Sequence, residues 1–239
     1  MANSLAKRHF QRASAAAAAG VAAATAGPVM TMEGANAYEL QLAKLQQDYL
    51  RLKQVQSEEG KAELKRQLLP EHAPYIEGVL SADKGAQDQV VTTVMVWRID
   101  AGDYPGALDI AAYVIRHGLI MPDRFVRTTG CIVAEEIADA ALKAQKAGGA
   151  FELDLLNRTA AITAEEDMPD QVRAKLNLAI GKAYSAQVGD DTPTEQAQPT
   201  LELAKQHLAR AIELNSNCGG KKDLERVDRL VKKHAATGS

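Results

Sequence analysis

Tyr38, Leu42, Leu45, Tyr49 and Leu52 recur at spacings of 4, 3, 4 and 3. Such a series falls on one side of an α-helix and cannot share one face of a strand, which repeats every second residue. Gln41, Lys44, Gln46, Gln47, Asp48, Arg51 and Lys53 surround it, as expected of a seam with a polar exterior. Asn36, with Glu39 three residues on, fits a capping box at the start. Ser57-Glu58-Glu59-Gly60 reads as a turn. Lys61 to Leu69 then resumes a helical pattern through Leu64 and Leu68, with Pro70 expected to end it. Residues 37–70 therefore read as a helical hairpin. A seam of roughly two and a half heptads is marginal for an isolated coiled coil. It must pack on the rest of the chain or on copies of itself, so Tyr38, Leu42, Leu45, Tyr49 and Leu52 are candidate oligomerisation residues.

Residues 71–220 extend the helical reading. Aromatic residues make up only 4% of the 239 and alanine is abundant. A β-sandwich or barrel would need far more Val, Ile, Tyr and Phe, whereas alanine has the best helix propensity and lets helices approach closely. Ala86 to Asp100 is apolar at Val90, Val91, Val94, Met95 and Ile99. Gly102 supplies a stop and Pro105 opens a helix running to Gly118. Further helices are expected over 132–145 and 151–164, and from Asp170 with Val172, Leu176, Ile180 and Tyr184 on one face. A long polar loop is expected over 189–199. Ala204, Leu208, Ala211 and Leu214 then have the spacing of the second helix of a tetratricopeptide-type repeat. The fold class is all-α: an N-terminal helical hairpin followed by stacked α–α hairpins without a strict repeat length.

The net charge of −3 averages over an uneven distribution. Residues 1–12 carry +3 and residues 221–239 another +3, leaving −9 between them. Residues 1–36 read as a flexible, basic, alanine-rich arm. Its basic start and Ala24-Thr25-Ala26 resemble a signal peptide, but the alanine run lacks Leu, Ile and Phe, which weighs against one. Residues 221–239 read as a basic C-terminal helix and tail. Three clusters are candidate DNA contacts: Lys7, Arg8 and Arg12; Arg124, Phe125 and Arg127 in an expected loop; and Lys221, Lys222, Arg226, Arg229, Lys232 and Lys233 on one helix face. Each could equally be a solvated surface.

Motifs for catalysis are sparse. Gly181-Lys182 and Gly220-Lys221 lack the upstream glycine of a phosphate-binding loop. Pro122-Asp123 and Pro169-Asp170 are not followed by the acidic-x-Lys triplet of a metal-dependent nuclease. Cys131, Cys218 and the five histidines have no metal-ligand spacing. No catalytic residue, metal or cofactor is assigned, and no apolar run is long enough to span a membrane.

Several ordered segments carry a resemblance. They are Leu68-Leu69-Pro70, Gly78-Val79-Leu80, Lys84-Gly85-Ala86-Gln87-Asp88, Thr93 to Asp100 (Thr-Val-Met-Val-Trp-Arg-Ile-Asp), Gly102-Asp103, Gly106-Ala107-Leu108, Asp167-Met168-Pro169-Asp170 and Val172-Arg173-Ala174-Lys175-Leu176. Across Tyr38 to Leu230 the chain resembles the GpM-type small terminase subunits of temperate contractile-tailed phages. The resemblance implies a ring-forming homo-oligomer in the host cytoplasm that recognises double-stranded viral DNA. It also implies a partner, the large terminase subunit, which carries the ATPase and nuclease and which this subunit regulates during genome packaging. The family is often called the endonuclease subunit, so cutting of concatemeric DNA by this chain is the alternative. A helical-repeat protein-interaction module is the third reading.

Overall fold

The computed structural model describes residues 5–22, 36–122, 126–189 and 192–237. Among them are ten α-helices and no strand, as the all-α reading requires. The chain forms two compact units, Met1–Thr129 and Gly130–Ser239.

The first unit holds α1 (Leu5–Ala22), α2 (Ala37–Lys53), α3 (Glu58–Ala82), α4 (Gln89–Ala101) and α5 (Tyr104–Arg116). The expected capping box starts α2: Glu39 N–H donates to Asn36 Oδ1 at 3.1 Å, and Asn36 N–H to Glu39 Oε2 at 2.8 Å. Pro70 does not end the second helix of the hairpin. α3 runs 25 residues, with Pro70 and Pro74 inside it. Each proline removes a backbone donor, at a cost of about 3 kcal/mol. Burial of Leu68, Leu69, His72, Pro74, Tyr75, Ile76 and Val79 around them offsets that cost. Sequence reading underweights this because tertiary burial is not local. Asp88 caps α4 by accepting from the Val90 and Val91 amides (2.8 and 3.1 Å), and it receives the Tyr75 hydroxyl at 2.5 Å.

Part of the stretch expected to be a flexible arm is helix α1, packed on α3. Ala15 and Ala18 are buried, and a side chain on Gly78 of α3 would stand 2.5 Å from the Arg12 carbonyl oxygen and 2.8 Å from Ala15 Cβ. Small residues on both helices let the backbones nearly touch. Arg12 is ion-paired with Glu77 beside this contact.

The second unit holds α6 (Thr129–Lys146), α7 (Leu153–Ile162), α8 (Asp170–Ala186), α9 (Thr194–Leu214) and α10 (Lys221–Thr237). Lys175 of α8 reaches Asp139 (2.9 Å) and Glu135 (3.3 Å) of α6. Gln145 donates to the Ala179 carbonyl at 2.9 Å. α8, α9 and α10 pack in chain order. Ala204, Leu208 and Ala211 are fully buried, as their repeat-like spacing suggested, and Leu208 lies against Gly181 of α8. The expected long loop is shorter than its composition implied: α9 begins at Thr194 and takes Pro199 into its early turns. Among the described residues, no helix is long and apolar enough to cross a membrane.

Gly78→Val is expected to lift α1 from α3 while leaving the other helices folded, because overpacking of this kind costs roughly 1–3 kcal/mol. Hydrogen exchange measures it: faster exchange over residues 8–18 with unchanged α4 and α5 is the expected pattern.

Candidate nucleic-acid interface

The geometry of α10 begins with its apolar side. Val227 and His234 are buried, and Leu224, Leu230 and Val231 pack against the core formed with Leu201, Ala204 and Leu208. That choice of face fixes where the charges go. Asp223 turns toward α8, where Lys182 Nζ holds it at 3.0 Å, and Asp228 toward α9, where Lys205 Nζ holds it at 2.9 Å. Lys221, Lys222, Arg226, Arg229, Lys232 and Lys233 are all exposed. Lys222, Arg226, Arg229 and Lys233 follow one another at spacings of 4, 3 and 4, so they form a single stripe. Two of the helix's three acids are thus ion-paired within the unit, although Asp228 stays 40% exposed, and Glu225 lies on the outer surface. The Arg229 Nε–H donates to the Glu225 carbonyl at 3.3 Å, which steadies one guanidinium. Lys222 to Lys233 spans about 16 Å of helix at 1.5 Å per residue, long enough to face several phosphates of a duplex.

The other candidate contacts divide. Lys7 and Arg8 are exposed on α1, whereas Arg12 is engaged by Glu77. Arg127 is exposed; Arg124 and Phe125 lie outside the described residues.

The oligomerisation seam proposed from spacing packs inside the first unit. Leu45 and Leu52 are buried, Tyr49 meets Trp97 edge-on at 5.3 Å, and Tyr38 and Leu42 are half-buried. Between them lies a charge that spacing does not reveal. Asp48 is 2% exposed, and it receives Lys44 Nζ at 3.0 Å, Arg51 at 3.3 Å and His72 Nε2 at 3.1 Å. Lys44 also reaches Glu71 at 2.9 Å. His72 Nδ1 stands 3.1 Å from the Gln41 side-chain amide, and its ring meets Trp97 at 6.0 Å. Burial holds the His72 pKa below its ordinary value, the Lys44 charge acts in the same direction, and Asp48 opposes both. The lowered pKa keeps the ring neutral at pH 7, with Nε2–H donating to the Asp48 carboxylate. Sequence reading found no signal for this cluster, because Asp48 and His72 are 24 residues apart and each looks like a surface residue of its own helix.

Among the described residues, no three His, Cys, Asp or Glu side chains are grouped so as to hold a metal ion. Residues 42–171 match the family described as phage small terminase subunit. The chain is also 42% identical over 227 residues to the "Terminase, endonuclease subunit" of Escherichia phage P2, covering 95% of this chain and 85% of that protein. The chain belongs to the phage small terminase subunit family. A second terminase relative, the "Probable terminase, endonuclease subunit" of Haemophilus phage HP1 (strain HP1c1), is 28% identical over 203 residues, 80% of this chain and 69% of its own length. No solved structure matches. The family places this small terminase subunit in viral DNA packaging, and the two units just described are the scaffold on which that role is carried.

The His72 pKa sets a pH dependence. The ordinary histidine value is 6.5, and in the folded chain it is lowered. As pH falls through 6.5 the unfolded chain takes up a proton that folded His72 does not, so its contribution to stability is held above 6.5 and lost below. In NMR spectra of the folded protein the His72 ring is expected to take up its proton below pH 6.5.

Proposed function

We propose that this small terminase subunit binds double-stranded viral DNA through the outer face of α10. It does so as a homo-oligomer in the host cytoplasm, and it presents that DNA to the large ATPase and nuclease subunit. The observation that carries the reading is the charge segregation on α10, where two of three acids are ion-paired to neighbouring helices and six cations are exposed. On a chain with net charge −3 this is a local field that attracts polyanions despite an acidic body. Lys7 and Arg8 on α1 form a second, smaller cationic surface. Contacts of this type neutralise phosphates and position the duplex; they do not read bases.

Replacing Lys222, Arg226, Arg229 and Lys232 by Gln tests this directly. The variant is expected to fold normally, since these side chains are exposed. The slope of log affinity against log salt should fall in magnitude by about 3–4, near 0.9 per lost phosphate contact. An unchanged slope would remove α10 from the interface.

The relatives' names contain the word endonuclease. We assign cleavage to the terminase complex, with this chain contributing DNA recognition and regulation. Purified chain incubated with packaging-site DNA and Mg²⁺ or Mn²⁺, without the large subunit, is expected to leave the DNA uncut. Site-specific cuts would make the chain itself the nuclease.

A further inference from the structure

An open cavity of about 380 Å³ lies in the first unit between α3 and the turn that joins α4 to α5. α3 contributes Arg66, Leu69 and Pro70 to its lining, and the end of α4 with the turn contributes Arg98, Ala101 and Asp103. Arg98 is fixed there with part of its hydrogen-bonding capacity unused. Its side chain is 18% exposed, and Nη1 pairs with Asp103 Oδ2 at 2.5 Å. Asp103 is itself held as the cap of α5, accepting the Gly106 amide at 3.1 Å. Gly106 leaves room for the guanidinium, since a Cβ there would overlap Arg98 Nη1. The Arg98 Nε–H is buried with no acceptor. A buried donor left in this way calls for a partner that the unit itself does not supply.

Arg66 brings a second guanidinium. Its Nε–H donates to the Ala101 carbonyl at 3.0 Å and Nη1 to Glu63 at 2.7 Å. Pro70 has no N–H, so the Arg66 carbonyl lacks the donor that the fourth residue on provides elsewhere in a helix. The cavity therefore combines two cationic forks, a backbone acceptor short of one donor, and apolar surface from Leu69, Pro70 and Ala101.

We infer that this cavity receives a short segment of the large terminase subunit that carries an acidic side chain beside an apolar one. The carboxylate lies between Arg98 and Arg66, a backbone N–H of the segment meets the Arg66 carbonyl, and the apolar side chain rests on Leu69, Pro70 and Ala101. The inference rests on the reading that the large subunit is a partner, and it gives that partner a docking site.

Charge balance selects a carboxylate over DNA. Two arginines and one aspartate line the cavity, which leaves one net positive charge to be met. One carboxylate meets it, and an arginine fork holds a carboxylate through two parallel bonds. A duplex would instead bring a run of phosphates against Glu63, which is bound to Arg66, and Asp100, which precedes Ala101. Their side chains are 57% and 36% exposed, and they repel a polyanion.

The test uses the full-length chain with the purified large subunit, and calorimetry reads the affinity. Arg98→Lys keeps the charge and removes the fork. Arg66→Gln and Pro70→Ala replace exposed residues, and Pro70→Ala returns a helical donor to the Arg66 carbonyl. Circular dichroism checks each fold. Because Arg98 also holds Asp103, Arg66→Gln and Pro70→Ala decide the matter if Arg98→Lys loses structure. The two arginine variants are expected to weaken large-subunit binding about tenfold or more, and Pro70→Ala by a smaller factor. Lys53→Gln, at an exposed lysine elsewhere in the unit, leaves it unchanged. The salt slope of DNA binding keeps its wild-type value throughout.

Wild-type affinity in the folded cavity variants would overturn the docking site and leave the partnership with the large subunit standing. A reduced DNA salt slope with intact large-subunit binding would make the occupant a phosphate and overturn the proposal. Weakened self-association with intact large-subunit binding would give the cavity to a second copy, which also overturns it. Failure of the wild type to bind the large subunit would overturn the partnership and this site with it.

Discussion

Asp48 is the residue on which the first unit turns. A carboxylate 2% exposed to solvent is tolerable only when its charge is met, and here Lys44, Arg51 and His72 meet it. Those contacts tie α2 to α3 and set the rotation of α2 about its axis. Removing one partner would leave a buried charge unbalanced, so the cluster tolerates little slippage. The rotation it enforces buries Leu45 and Leu52, places Tyr49 on Trp97, and turns Leu40 and Leu50 outward. The buried charge and the apolar residues beside it thus hold the same face of α2 inside the unit.

The second unit solves a related problem with surface charges. The apolar residues Leu224, Val227, Leu230 and Val231 set the orientation of α10, and Lys182 and Lys205 then take up the two acids at the edges of that apolar face. Each of these ion pairs is half-exposed and contributes little stability. Their consequence is electrostatic: the remaining surface of α10 is almost purely cationic. Family membership brings DNA packaging, and the phosphate contacts proposed for this helix rest on that cationic surface.

Much of this was legible from spacing. The capping box at Asn36, the glycine stop at Gly102, and the repeat-like Ala204, Leu208 and Ala211 all depend on neighbours within a few residues, and all stand where local rules put them. The basic face of α10 was legible for the same reason. Pro70 does not end α3 as the local rule expects, because that rule takes no account of how deeply the surrounding turns are buried. The helix at Leu5–Ala22 was read as a flexible arm because alanine lacks the hydrophobicity that marks an amphipathic helix. Its docking depends on Gly78, more than 60 residues away, leaving room for the backbone.

By itself the sequence determined the helical class, most helix starts and stops, the concentration of positive charge at the two ends, and the family. The first three follow from residue type and short-range periodicity, and the family from the ordered segments that resemble it. Only the tertiary structure decided what each apolar face packs against. Spacing singles out the Tyr38 to Leu52 side of α2, but that it closes inside the unit, with Asp48 meeting His72 across 24 residues, is a matter of packing. Likewise, α10 carries three acids among its cations in sequence, and only packing on α8 and α9 shows that two of them are ion-paired to those helices. A helical period specifies faces, whereas burial and the pairing of distant charges specify which face meets water.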